Sequence, residues 1–245
     1  MPEVVLTPQE NETAAGSFGT CGGFGKIASA GDFIRFGMSP QFVKIWDGWL
    51  QAGIAACRET LGGRWQDSYF SAPVWRFTVP AGLAGPTPAL GVMMPSVDRV
   101  GRQFPLTLAV SVRTPQPLAE LHFSNTNTFE AMEDIAFATL DELPLDDLKA
   151  RCAALAPPVP GIAGPDISPA GVLRLDGVSD LAPALAAKSI SQSSGQCLWS
   201  ARLEDSVRLI RSTGLPQGGL FAALMDLENP HWQNRASQVA EEMLL

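Results

Sequence analysis

From Phe42 onward, apolar or small residues recur every three or four positions: Phe42, Trp46, Trp49, Gly53 and Cys57. That spacing is the stripe of a helix with one buried face. Ser39-Pro40 starts it, with a hydroxyl at the N-cap and proline at the first helical position, and Gly62-Gly63 ends it. Before this helix, Gly23-Phe24-Gly25-Lys26-Ile27 predicts a short first strand. After it the helical period gives way to alternation. Val74-Trp75-Arg76-Phe77-Thr78-Val79 is β-branched or aromatic at most positions and reads as a strand. The apolar runs Leu90 to Val97 and Phe104 to Val112 flank the polar turn Asp98-Arg99-Val100-Gly101-Arg102, which predicts a hairpin.

The second half is less regular. Asn127-Thr128-Phe129-Glu130 has capping-box spacing, and Met132, Ile135, Ala136 and Leu140 give the following helix a buried face that Pro144 stops. Glu130, Glu133 and Asp134 then fall near its N-terminus, where the helix dipole favours negative charge. Gln196 to Leu203 and Val207 to Ser212 predict a second hairpin around Glu204-Asp205. Helices from about Pro216 to Leu227 and from Pro230 to the end complete the chain. Residues 1–17 read as a loose polar tail, and residues 18–245 as one domain carrying a Pro/Gly-rich surface loop at 156–171. Adjacent hairpins with helices before and after them predict an α+β fold, a largely antiparallel central sheet covered by helices.

Composition narrows the function classes. The 245 residues carry 25 Asp+Glu against 17 Lys+Arg, a net charge of -8. Nucleic acid and anionic membranes call for clustered basic residues, and only Arg99 and Arg102 approach a cluster. No apolar run is long enough to span a bilayer, and Met1-Pro2-Glu3 opens no signal peptide. Cys21, Cys57, Cys152 and Cys197 form no Cys-x-x-Cys pair, so the reading is a reduced, cytoplasmic compartment with buried thiols. His122 and His231 stand alone in sequence, which argues against zinc, and no cofactor is expected.

The motifs of catalysis fail one by one. Gly25-Lys26 suggests a phosphate loop, but Thr20 replaces its first glycine and Ile27 its magnesium-binding hydroxyl. Gly23-x-Gly25-x-x-Ala28 follows a polar tail and not a buried strand, so a structural glycine turn is the simpler reading. No Gly-x-Ser-x-Gly elbow accompanies either histidine, and both read as surface imidazoles. The acidic pairs Asp146-Asp147 and Glu241-Glu242 read as solvated faces. The chain is therefore read as a non-enzyme.

One segment stands apart. Ser96, Asp98, Arg99 and Arg102 crowd into the turn of an otherwise apolar hairpin. Two roles fit: Asp98 locks the turn by pairing with Arg99 or Arg102, or the arginines recognise a partner at the sheet end.

These same residues carry a resemblance to the TagF (ImpM) family of type VI secretion-associated proteins. It runs through Gly23-Phe24-Gly25-Lys26, Gly31-Asp32-Phe33-Ile34-Arg35, Trp46-Asp47-x-Trp49-Leu50-Gln51 and Ser71-Ala72-Pro73-Val74-Trp75-Arg76-Phe77. Its most specific part is Gly91 through Arg102 with Phe104-Pro105-Leu106. Weaker echoes follow at Leu198-Trp199 and Phe221 to Asp226. The resemblance implies an α/β/α sandwich of the profilin or longin kind. It also implies a cytoplasmic, non-catalytic negative regulator of type VI secretion that binds a forkhead-associated scaffold protein. On this reading Asp32, Ser96, Asp98, Arg99 and Arg102 are the candidate partner-binding or turn-locking residues, with exposed tryptophan as a further anchor. Trp46, Trp49, Trp75, Gly101 and Pro105 are candidate structural residues. The alternative is a small-molecule sensor or hydrolase, for an anion or a nucleotide, that uses the 96–102 turn as a pocket.

Overall fold

A computed structural model of the chain describes residues 17–113, 117–159, 196–204 and 206–233. The expected tail (but for Ser17), most of the Pro/Gly-rich loop, and Glu241-Glu242 lie outside those residues.

The centre is an eight-stranded antiparallel sheet. In chain order its strands are β1 (Ser17–Phe18), β2 (Gly22–Gly25), β3 (Ile34–Phe36), β4 (Trp75–Val79), β5 (Ala89–Met94), β6 (Leu106–Arg113), β7 (Cys197–Arg202) and β8 (Val207–Ser212). Their spatial order is β3-β2-β6-β5-β4-β7-β8, and β1 pairs with the far end of β6. Both expected hairpins form, with Met94 opposite Leu106 in the first and Arg202 opposite Val207 in the second.

Alternation along the strands divides the side chains between two cores. Trp75, Phe77 and Val79 of β4, Met93 of β5 and Trp199 of β7 point to one face. There they meet helix α1 (Pro40–Leu61) and the helix Gly219–Met225. Leu90, Val92, Leu106, Leu108 and Val110 point to the other, against the helices Thr126–Ala138 and Leu145–Ala153. The result is a sandwich of helices, sheet and helices.

α1 is built as its sequence requires. The Ser39 hydroxyl accepts the Phe42 amide at 3.1 Å, and Gly62 caps the other end. Trp46, Trp49 and Trp75 are buried, and each indole N–H has a partner: Thr107 Oγ1, the Pro216 carbonyl and the Leu224 carbonyl. Burying an aromatic ring this way leaves no polar group unpaired. Gly53 lets the Phe221 ring lie flat on the helix, where any Cβ would collide with it.

Several local expectations need correction. The helix expected at Asn127 starts at Thr126, with Asn125 as its cap residue, because another helix, Leu118–Ser124, runs directly into it. The Asn125 side chain is buried and does not cap the helix amides; its oxygen accepts the Val159 amide, and its NH2 donates to the Val159 and Leu121 carbonyls. Glu130 and Glu133 lie beyond the first turn and pair with arginines of the sheet. That helix ends at Ala138, before Pro144, which instead opens the helix Leu145–Ala153. Strand β3 and the helices 118–124 and 145–153 carry no periodic signal strong enough to predict. The helix expected from Pro216 is shorter, Gly219–Met225, since Gly218 at φ 53 sets its start.

Candidate functional site

The 96–102 turn is assembled around one carboxylate. Asp98 is buried although it sits in a loop. Its Oδ2 accepts from Lys26 Nζ at 2.8 Å and from Arg102 Nε at 2.6 Å. Its Oδ1 accepts the amides of Val100 at 3.1 Å and Arg102 at 2.9 Å. Burial alone would push this carboxyl up, but the Lys26 ammonium and the hydrogen bonds from Arg102 and Val100 outweigh it. They hold Asp98 well below the usual carboxylate range. Gly101, at φ 82, provides the left-handed residue that lets the Arg102 amide turn back to Asp98.

The turn is also tied to its neighbours. The Tyr69 hydroxyl donates to the Ser96 carbonyl at 2.8 Å and accepts the Ser96 amide at 3.0 Å. Arg99 N–H donates to the Ala30 carbonyl at 2.9 Å, and Arg102 Nη2 to the Gly31 carbonyl at 2.6 Å. Gly25, at φ 134, brings β2 so near that a Cβ there would strike the carbonyl of the buried Pro105. The loop after β2 and the hairpin turn therefore form one bonded unit.

What this unit shows to solvent differs from the expected surface. Ser96 and Asp98 are buried, and Arg102, although its side chain is 59% exposed, is engaged on Asp98 and Gly31. Asp32 is exposed and accepts the Phe33 amide. Arg99 is exposed, its guanidinium lies over Gly31, and among the described residues its side chain has no hydrogen bond or ion pair. Beside it stand Val100 and Phe33, 68% and 44% exposed. Phe33 rests edge-on against Phe104 and over the Lys26 ammonium at 5.1 Å. The expected tryptophan anchor is absent among the described residues, because the six indoles are buried or half-buried; the exposed aromatics are Phe33, Phe70 and Phe137.

On the other flank of the hairpin lies a groove of about 480 Å³, lined by Phe70, Val74, Pro95, Phe137, Leu140 and Glu133 among others. Behind it Arg76 forms a bidentate pair with Glu133, at 2.6 and 2.7 Å. His122 is not a surface imidazole. It is buried in the helix 118–124, with Thr78 Oγ1 and Ser200 Oγ each at 2.8 Å from its two nitrogens. Burial, helped by the Arg76 charge, lowers its pKa to about 3. The Ser200–His122 distance is that of a nucleophile and its base, but an imidazole so depressed is too weak to take the serine proton near neutral pH. His231 is exposed and bonded to Asn229.

Sequence reading missed Lys26, Tyr69 and Val100. Lys26 had a signal: a lone ammonium inside an apolar strand needs a buried counter-charge. Nothing in the sequence says that Asp98 is that charge. Among the described residues no three His, Cys, Asp or Glu side chains cluster as a metal site would require, and no helix is long and apolar enough to cross a membrane.

Comparison with known proteins finds both a family and a fold that this chain resembles. Residues 22–155 match the model of the TagF N-terminal domain, described as type VI secretion system-associated. The fold is similar to the crystal structure of PA0076 from Pseudomonas aeruginosa PAO1, with 35% identity and a TM-score of 0.68, covering 85% of this chain and 95% of that one. No curated protein matches the sequence.

Proposed function

The chain belongs to the TagF family of type VI secretion-associated proteins, and from that premise we propose that it is a non-catalytic, cytoplasmic regulator that restrains type VI secretion by binding. Its partner on this reading is the forkhead-associated scaffold protein of the secretion machine. The contact surface is the exposed part of the locked turn: Arg99 and Val100, with Phe33 and Asp32 beside them.

The observation that carries this reading is the contrast within the turn. Asp98, Lys26 and Arg102 neutralise and fix one another. Arg99 is left with a free guanidinium next to two exposed apolar side chains on a rigid base. A pre-ordered arginine flanked by apolar surface loses little entropy on binding, and arginine and aromatic residues dominate interface energies. An anion pocket at the same turn is less well supported, since two of its three cations are already spent on Asp98. The test is co-purification of the tagged full chain from a host that makes the secretion scaffold, together with a secretion assay during overproduction. Capture of the scaffold and reduced secretion support the reading; the absence of both effects overturns it.

A further inference from the structure

The four cysteines are all buried free thiols, but they differ in setting. Cys57 and Cys197 belong to the core between α1 and the sheet. Burial pushes their thiols up to about 11 and about 12, so both are inert at neutral pH.

Cys21 and Cys152 are distant in sequence and adjacent in space. Cys21 lies just before β2, and Cys152 in the last turn of the helix Leu145–Ala153. Together with Phe18, Gly19, Pro157 and Pro158 they line one surface pocket of about 150 Å³. Both side chains belong to the same buried cluster, where the Cys21 thiol also donates to the Gly22 carbonyl at 3.8 Å, and the interaction between the two thiols raises Cys21 and lowers Cys152. A water molecule occupies about 30 Å³ in the liquid, so the pocket admits hydrogen peroxide but not a tripeptide disulfide.

We propose that Cys21 and Cys152 form a peroxide-oxidisable dithiol that closes to a disulfide, tying the 145–153 helix to the start of β2. The Cys152 thiolate attacks one peroxide oxygen, the O–O bond breaks, and the departing hydroxide takes a proton to become water. Cys152 is then a sulfenic acid. Cys21 attacks its sulfur, the S–O bond breaks, and the hydroxide released takes the Cys21 proton to form a second water. Two thiols lose two electrons in all, and one hydrogen peroxide is reduced to two waters. A resolving thiol next to the sulfenic acid favours closure over further oxidation. Cys21 adjoins Gly22, whose strand leads directly to Lys26, so the cross-link would anchor the strand that supplies the counter-charge of Asp98.

The experiment treats the folded full chain with hydrogen peroxide, blocks the remaining thiols, and maps disulfides by peptide mass spectrometry without reduction. The expected result is a cross-linked Cys21–Cys152 peptide, lighter by about 2 Da than the sum of its reduced parts. Cys57 and Cys197 stay alkylatable after unfolding, and dithiothreitol restores both lost thiols. In Cys152→Ser the oxidation of Cys21 is lost, while in Cys21→Ser a dimedone-reactive sulfenic acid accumulates at Cys152. The proposal is overturned if both thiols remain free in the folded wild-type chain. Linkage to Cys57 or Cys197 overturns it too. The wild-type map decides even if either variant fails to fold.

Discussion

Lys26 and Asp98, 72 residues apart in sequence, meet at 2.8 Å with both side chains almost fully buried. This pair joins the loop after β2 to the β5–β6 turn. A buried ion pair adds little over an apolar pair of the same shape, but removing one member strands the other. Replacement of Asp98 by Ala leaves Lys26 buried without a counter-charge and frees two backbone amides from their acceptor. D98A is expected to lower the melting temperature far more than R99A does, and K26M to fall between them. Thermal unfolding of the three variants checks the ranking, and equal melting temperatures would show the lock to be dispensable.

The exposed half of the turn is separable from this lock. Arg99 and Val100 side chains bond to nothing among the described residues, so the pair R99E/V100D changes the surface and spares Asp98. Stability is expected to stay within about 0.5 kcal/mol of the wild type, as for surface changes generally. Scaffold capture is expected to drop about 10-fold or more, the loss typical of interface hot spots. Titrated pull-down with circular dichroism as the folding control is the measurement. Unchanged capture by a folded variant removes this surface from the reading.

The difference between lock and surface was not legible in the sequence. The crowding of Ser96, Asp98, Arg99 and Arg102 could be seen there, and both roles for it could be written down. Burial separates the roles, and burial depends on contacts with Lys26, Tyr69 and Ala30, which are distant along the chain. The elements divide likewise. α1 was readable because 22 residues repeat one stripe, and the first hairpin because two long apolar runs flank a polar turn. The helices 118–124 and 145–153 are short, and their packing against the sheet, not a repeated pattern, stabilises them. His122 looked like a surface residue for the same reason: its partners Thr78 and Ser200 come from two different strands.

Arg76 and Glu133 give an asymmetric prediction. The Arg76 side chain is buried among Phe129, His122 and the sheet, whereas Glu133 reaches the wall of the groove and keeps some solvent. Glu133→Leu leaves Arg76 with only Glu130 at 3.9 Å, and is expected to cost about 3 kcal/mol, the lower end for a broken buried pair. Arg76→Met should cost less, because Glu133 can turn toward water. The double variant R76M/E133L should recover most of the loss. Urea unfolding midpoints form the cycle, and additive single costs would show that the two residues do not act as a pair.

Acid sensitivity follows from His122. In the unfolded chain its imidazole takes a proton below about 6.5, while in the fold burial and the Arg76 charge delay this until about 3. Between those values the unfolded state binds the extra proton, so stability is full above 6.5 and falls as the solution is acidified. The slope approaches about 1.4 kcal/mol per pH unit, the value for one proton. Asp98 contributes loss of the same sign only lower down, below the ordinary aspartate value, because its folded-state pKa is depressed. Urea midpoints between pH 6.5 and 4.5 therefore isolate the histidine. His122→Gln keeps an amide in reach of Thr78 and Ser200 but has no proton to gain, and its stability should be flatter across this window by most of that slope. Parallel slopes for the variant and the wild type would mean that the buried imidazole is not what acid destabilises.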